Sequence, residues 1–272
     1  MAIALVRQGS GTATNLFVIY AVGFALLFAY ALARSFYLVC IRGAPVDPGA
    51  ESFCATDPST IPGPVWDALQ RATEAVNDTT ATHLGHMRIA NGMMLQYSSV
   101  WWTDDGTTII YASASAFEMP SGKQVPQGEH VTISSGSHAG DQIQTTNQKY
   151  IPSKDQHGHS VRAFPQWMPF DALQEIHRAR VAAAPLVARR LPCELGAVVH
   201  ANNEALRKHA DLYLRGTRQG SDGRQRITIG MWALTVAAQL PPVRALRRVR
   251  WHAMLRRELR DLGLLHLWKK PA

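Results

Sequence analysis

Cysteine is scarce: the 272 residues hold three, Cys40, Cys54 and Cys193, and no C-x-x-C pair. This excludes a thiolate zinc site of the usual spacing and a disulfide framework, and leaves open whether Cys54 and Cys193 pair. The chain also lacks a G-x-x-x-x-G-K phosphate loop, a dinucleotide fingerprint and an H-E-x-x-H signature, so no cofactor is expected. Gly136-Ser137-His138-Ala139-Gly140 carries histidine where a nucleophile elbow needs serine. Asp104 and Asp105 border a turn, where aspartate binds backbone N–H groups, and are not read as an acid–base pair.

Formal charge is missing altogether from Gln8 to Ala33, and ten residues of Leu16–Ala33 are Leu, Ile, Val or Phe. At about 1.5 Å per residue, a helix from Asn15 to Ala33 spans roughly 28 Å, close to the ~30 Å hydrocarbon layer of a bilayer. Every face of the stretch is apolar, unlike the single stripe of a helix packed on a soluble core. A single N-terminal transmembrane helix is therefore expected over residues 15–41, after a tail at 1–14. The competing reading is a cleaved signal peptide ending at Ala31-Leu32-Ala33, but apolar character resumes at Phe36 and outlasts what a leader needs. Ala21, Ala25, Ala29 and Ala33 recur every fourth residue, a spacing that lets a second helix approach closely and suggests self-association or a protein partner. The positive charges flanking the span nearly balance, so sidedness stays undetermined.

Beyond the span, the net charge of +8 conceals a division. Residues 43–160 carry 5 Lys+Arg against 12 Asp+Glu, and residues 161–272 carry 20 against 8. The expected fold class is α+β: a transmembrane helix, a proline-rich linker over 42–64, a small antiparallel β region with a helix over 65–160, and a basic helical region over 161–272. Pro64 opens a helix with Val65, Trp66, Leu69, Ala72 and Val76 at helical spacing. Met93–Thr103 and Thr107–Ala114 flank Asp105-Gly106, a hairpin signal. Short strands are expected at His130–Ser134 and Gln142–Ile151, followed by a polar loop to Trp167. Asp171 is placed to cap one helix, and Asn202 or Asn203 a second. Ile227–Leu240 is an apolar run too short for a crossing and is read as a buried helix, with a second crossing near 227–243 as the alternative.

Residues 243–262 hold seven arginines and two acids. Leu246, Val249 and Ala253 form one apolar stripe, and Leu255, Leu259 and Leu262 another on nearly the opposite side, so the segment is expected to bend near Met254 or to lie between two packing partners. Arg244, Arg247, Arg248, Arg250, Arg256 and Arg257 are candidates for contact with an anionic surface, lipid headgroups ahead of nucleic acid. The only hints of metal chemistry are the pairs His83/His86 and His157/His159, which need further ligands to hold zinc and otherwise read as exposed loop histidines. The sequence points to a membrane-anchored, non-catalytic interaction or assembly protein. The competing class is a membrane-tethered hydrolase or metal-dependent enzyme using the histidine loops.

Overall fold

The computed structural model describes residues 2–42, 44–45, 53–77, 80–91, 94–118, 122–136, 142–148, 154–156, 159–184, 191, 193–208, 217–219, 221 and 224–269. The chain forms two compact units, residues 1–47 with 214–240, and residues 48–213 with 241–272. The class is α+β, with an N-terminal apolar helix, a mostly antiparallel sheet packed with helices, and a long C-terminal helix.

In the first unit, helix α1 (Ala2–Phe36) continues through a π-helical segment, Tyr37–Arg42. Strand β1 (Ala44–Pro45) then pairs with β11 (Arg224–Ile227), which also pairs with β10 (Thr217–Gln219), all antiparallel. Helix α5 (Ile229–Gln239) follows, with the Thr228 hydroxyl accepting from the Met231 N–H at its start. Prolines at 241 and 242 follow its last turn, where a missing N–H does least harm. The expectation of a buried helix here is not met, because Ile229 and Leu234 are exposed.

The second unit is built on strands β2 (Phe53–Ala55), β3 (Thr82–Asn91), β4 (Met94–Trp102), β5 (Thr108–Glu118), β6 (Gln124–Gly136), β7 (Gln142–Thr146), β8 (Lys154–Gln156) and β9 (His159–Ala163). They lie in the order β2-β3-β4-β5-β6-β7-β9-β8, antiparallel except for the β7/β9 pair. The expected hairpin is β4–β5: Gly106 takes φ +70°, and the Asp105 carboxylate accepts from the Thr107 N–H and the Thr103 hydroxyl. Part of the proline-rich stretch is ordered, since Phe53–Ala55 forms the strand at one sheet edge. Strands also lie where none was expected: β3 across the first histidine pair, and β8 and β9 inside the stretch read as a polar loop.

The alternation of β4 assigns the two faces. Leu95, Tyr97, Ser99 and Trp101 turn toward helix α2 (Gly63–Glu74), whose Val65, Ala68, Leu69 and Ala72 are all buried. Ala112, Ala114 and Ala116 of β5 lie beneath them, and such small side chains let the helix settle close to the sheet. On the same side, helix α3 (Phe170–Ala183) buries Leu173 and Ile176, and helix α6 (Pro241–Asp261) buries Leu255 and Leu259. The opposite side receives helix α4 (Leu195–Lys208) through Val198 and Val199 against Met87, Val100 and Ile109.

Three expected helix features are corrected. Asp171 lies in the first turn of α3, and the capping position belongs to Pro169. Asn202 and Asn203 sit inside α4, which begins earlier, at Leu195. Asn203 is buried, its amide donating to the Phe53 carbonyl and accepting from the Phe53 N–H, so it completes the outer edge of β2 in place of another strand. Finally, α6 runs unbroken through Met254: its second apolar stripe is docked, and the first, with Leu246 and Val249, is exposed.

Candidate functional site

In a regular strand, residues three apart point to opposite faces. His83 and His86 nevertheless share one face, because β3 carries an extra residue between them. His83 stands opposite Trp101, Gly85 opposite Val100, and His86 opposite Ser99. The bulge depends on Gly85, whose φ of +133° suits glycine alone and whose missing Cβ would lie 3.0 Å from Leu195 Cδ2.

The paired histidines form one wall of an open cleft of about 440 Å³. Helix α2 supplies Trp66, Gln70, Thr73 and Glu74, four residues that helical spacing brings to one side, and Asn77 and Trp101 complete the lining. Four rings run in sequence across it: Trp66 to His86 at 5.4 Å, His86 to His83 at 5.0 Å, and His83 to Trp101 at 4.9 Å between centroids. His86 Nδ1 lies 2.9 Å from the Ser99 hydroxyl. That hydroxyl is 3.2 Å from Thr73 Oγ1, which donates to the Leu69 carbonyl. Burial lowers the pKa of both imidazoles, and for His86 the neighbouring His83 adds to it. Both rings are therefore uncharged at neutral pH.

The four rings give the cleft a run of aromatic faces. Ser99, whose hydroxyl is bonded to His86, is fully buried. Among the described residues, no three His, Cys, Asp or Glu side chains gather as metal ligands. Of the other histidine pair, His157 lies outside the described residues, and His159 begins β9, opposite Gln142 of β7 and Gln156 of β8. Ser137-His138-Ala139-Gly140 also lies outside the described residues.

The arginine candidates divide along α6. Arg244, Arg247, Arg248 and Arg250 are exposed on its first half, around Leu246 and Val249, which are 71% and 68% exposed. Arg256 and Arg257 are exposed on the second half, with the Arg256 guanidinium 5.4 Å from the centre of the Trp268 ring. What fixes the second half is its acid. Glu258 accepts from Arg162 Nε at 2.5 Å and pairs with Arg180 Nε at 3.0 Å. Arg180 is buried and also donates to the Gln144 and Ser160 carbonyls and to the Thr145 and Ser160 hydroxyls. His177, one turn earlier, bridges Thr145 at 3.0 Å and Ser135 at 2.9 Å. Sequence reasoning passed over Arg162, His177 and Arg180. One signal was present: Leu173, Ile176, His177 and Arg180 share the helical spacing of a buried stripe, so a charge at its end implied a buried partner.

On α1, the segment Val18–Arg42 is long and apolar enough to span a membrane, and a signal sequence has the same properties. Ala21, Ala25, Ala29 and Ala33 are all exposed along it. No known family model, curated protein or solved structure matches this chain.

Proposed function

We propose that the chain is a membrane-anchored, non-catalytic interaction or assembly protein, held by α1 and docking on an anionic surface through the first half of α6. The observation that carries this reading is that half-helix: four exposed arginines and two exposed aliphatic side chains within ten residues, on a helix whose other half is firmly packed. A free, rigidly presented cationic turn of this kind attracts anionic headgroups at about 1 kcal/mol per arginine near the surface. The exposed alanine line of α1 leaves room for a second helix, so self-association within the bilayer belongs to the same reading.

The anchor is tested by alkaline carbonate extraction of membranes containing the full chain, which should leave it in the pellet; release into the supernatant defeats it. The docking surface is tested by replacing Arg244, Arg247, Arg248 and Arg250 with Gln. Recruitment of additional anionic vesicles by the membrane-reconstituted protein should fall and lose its salt dependence, with folding unchanged. Equal vesicle capture by the variant would remove α6 from the role.

A further inference from the structure

We infer that α5 is embedded in lipid beside the C-terminal end of α1, entering one leaflet without crossing the bilayer. This rests on the anchoring of α1 proposed above.

Its length sets the first constraint. From Ile227 to Val243 there is no charged residue, and the helical part, Ile229–Gln239, has 11 residues. At about 1.5 Å per residue it measures roughly 16 Å, about half of the hydrocarbon thickness. It is too short to cross.

The second constraint is what it touches. The Trp232 ring meets Phe36 edge-on at 5.1 Å, and its indole N–H donates to the Ser35 hydroxyl at 3.3 Å. Arg226, just before α5, donates through Nε to the Ile41 carbonyl at 2.6 Å. Ser35, Phe36 and Ile41 lie between Arg34 and Arg42, at the end of the apolar span where a headgroup layer would begin. Because α1 satisfies the Trp232 N–H and Thr228 caps the helix, these polar groups need no water, as a lipid setting requires.

The third is what remains uncovered. Ile229 and Leu234 are 63% and 67% exposed, and Leu240 is exposed too. Tyr37, Leu38 and Ile41 of the π-helical segment are exposed likewise. Apolar side chains of this size, continuous with a membrane span, match acyl chains better than water. Charge agrees: the nearest charged residues on both sides in sequence are arginines, Arg226 and Arg244, and no acid occurs between Asp222 and Glu258. Cationic residues at both ends fit a segment that enters and leaves at the same anionic interface.

The test uses the full chain in vesicles of phosphatidylcholine and phosphatidylglycerol, with Cys40→Ala, Cys54→Ser and Cys193→Ser. A nitroxide is placed singly at Leu234→Cys, Ile229→Cys, Phe28→Cys or Glu204→Cys, and its collisions with oxygen and with a water-soluble nickel chelate are compared. Leu234 and Ile229 should resemble Phe28, with oxygen access exceeding nickel access, and Glu204 should show the reverse. Nickel access at Leu234 and Ile229 equal to that at Glu204, with Phe28 still lipid-like, overturns the placement of α5 and spares the anchor. Shielding of both positions from both reagents means that protein covers them, which also overturns it. Nickel access at Phe28 overturns the anchor and the inference together.

Discussion

The two halves of α6 carry similar numbers of arginines and behave oppositely. Pro241–Arg250 has four arginines and no acid, and exposes Leu246 and Val249; Trp251–Asp261 has three arginines and two acids, and buries Leu255 and Leu259. Arginine density therefore does not decide which half docks. Two features do: an apolar pair four residues apart that meets the core cluster of Ile133, Phe164 and Leu173, and one acid, Glu258, placed between them to face Arg162 and Arg180. The first half has an apolar stripe of its own but no acid to meet a partner, and its side chains stay in the open. The difference separates a basic segment that holds a fold together from one left available for something else.

Breaking the ionic part of that contrast should have the largest effect. Arg180→Ala removes a donor shared by the Gln144 and Ser160 carbonyls and the Thr145 and Ser160 hydroxyls, and takes one of the two arginines from Glu258. Removing one partner of a buried pair costs about 3–5 kcal/mol, because the remaining polar groups keep their desolvation without its compensation. Urea unfolding of the detergent-solubilised chain measures this, and a loss below about 1 kcal/mol would mean that the network is incidental to docking.

The apolar part sharpens the comparison through a matched pair. Leu259→Ala should destabilise by about 2–5 kcal/mol through lost burial and the cavity left behind. Leu246→Ala, the same chemistry on the exposed half, should stay within about 0.5 kcal/mol. If the two substitutions cost the same, the first half is packed in solution and is not available as a docking surface.

How much of this was legible in the sequence depends on how local the signal is. The apolar span and the β4–β5 hairpin were, because an uninterrupted charge-free run and an Asp-Gly turn act within a few residues. The opposed stripes of α6 were also visible, but not the reason they differ: Glu258 is decisive only because Arg162 and Arg180 stand opposite it, 96 and 78 positions earlier in sequence. Strand β3 was hidden by Gly85, whose bulge shifts the alternation of Thr82–Asn91 near its start. The same bulge brings His83 and His86 to one face, so the cleft was illegible for the reason that makes it exist. Asn203 read as a cap because asparagine favours that position; its partner, the Phe53 backbone, lies 150 residues away.

The smallest and most specific effect is on pH, and it tests whether the docked half alone is acid-sensitive. Burial holds His177 at about 3, helped by the charge of Arg180 and opposed by that of Asp105, and burial alone holds His130 at about 4, against an ordinary value of 6.5. Arg180 donates to Thr145 Oγ1, and the Thr145 hydroxyl can in turn donate to His177 Nδ1, which leaves Nε2–H to donate to Ser135; the neutral ring fits this chain. With folded pKa values below the unfolded one, the unfolded chain binds protons that the native state refuses. Stability is thus complete above about pH 6.5 and falls on acidification toward about 4 and about 3. Each such histidine contributes a slope of about 1.4 kcal/mol per pH unit inside its window. His177→Gln should lower the slope measured between about pH 5 and 6.5, above most carboxylate titration, by one proton's worth. In the chain that keeps His177, Leu246→Ala should leave the slope untouched, whereas Leu259→Ala loosens the apolar layer beside Arg180 and His177 and should flatten the slope by letting water reach the ring. Identical slopes in all three backgrounds would show that protonation of His177 is not coupled to docking of α6, and the contrast between the halves would then rest on packing alone.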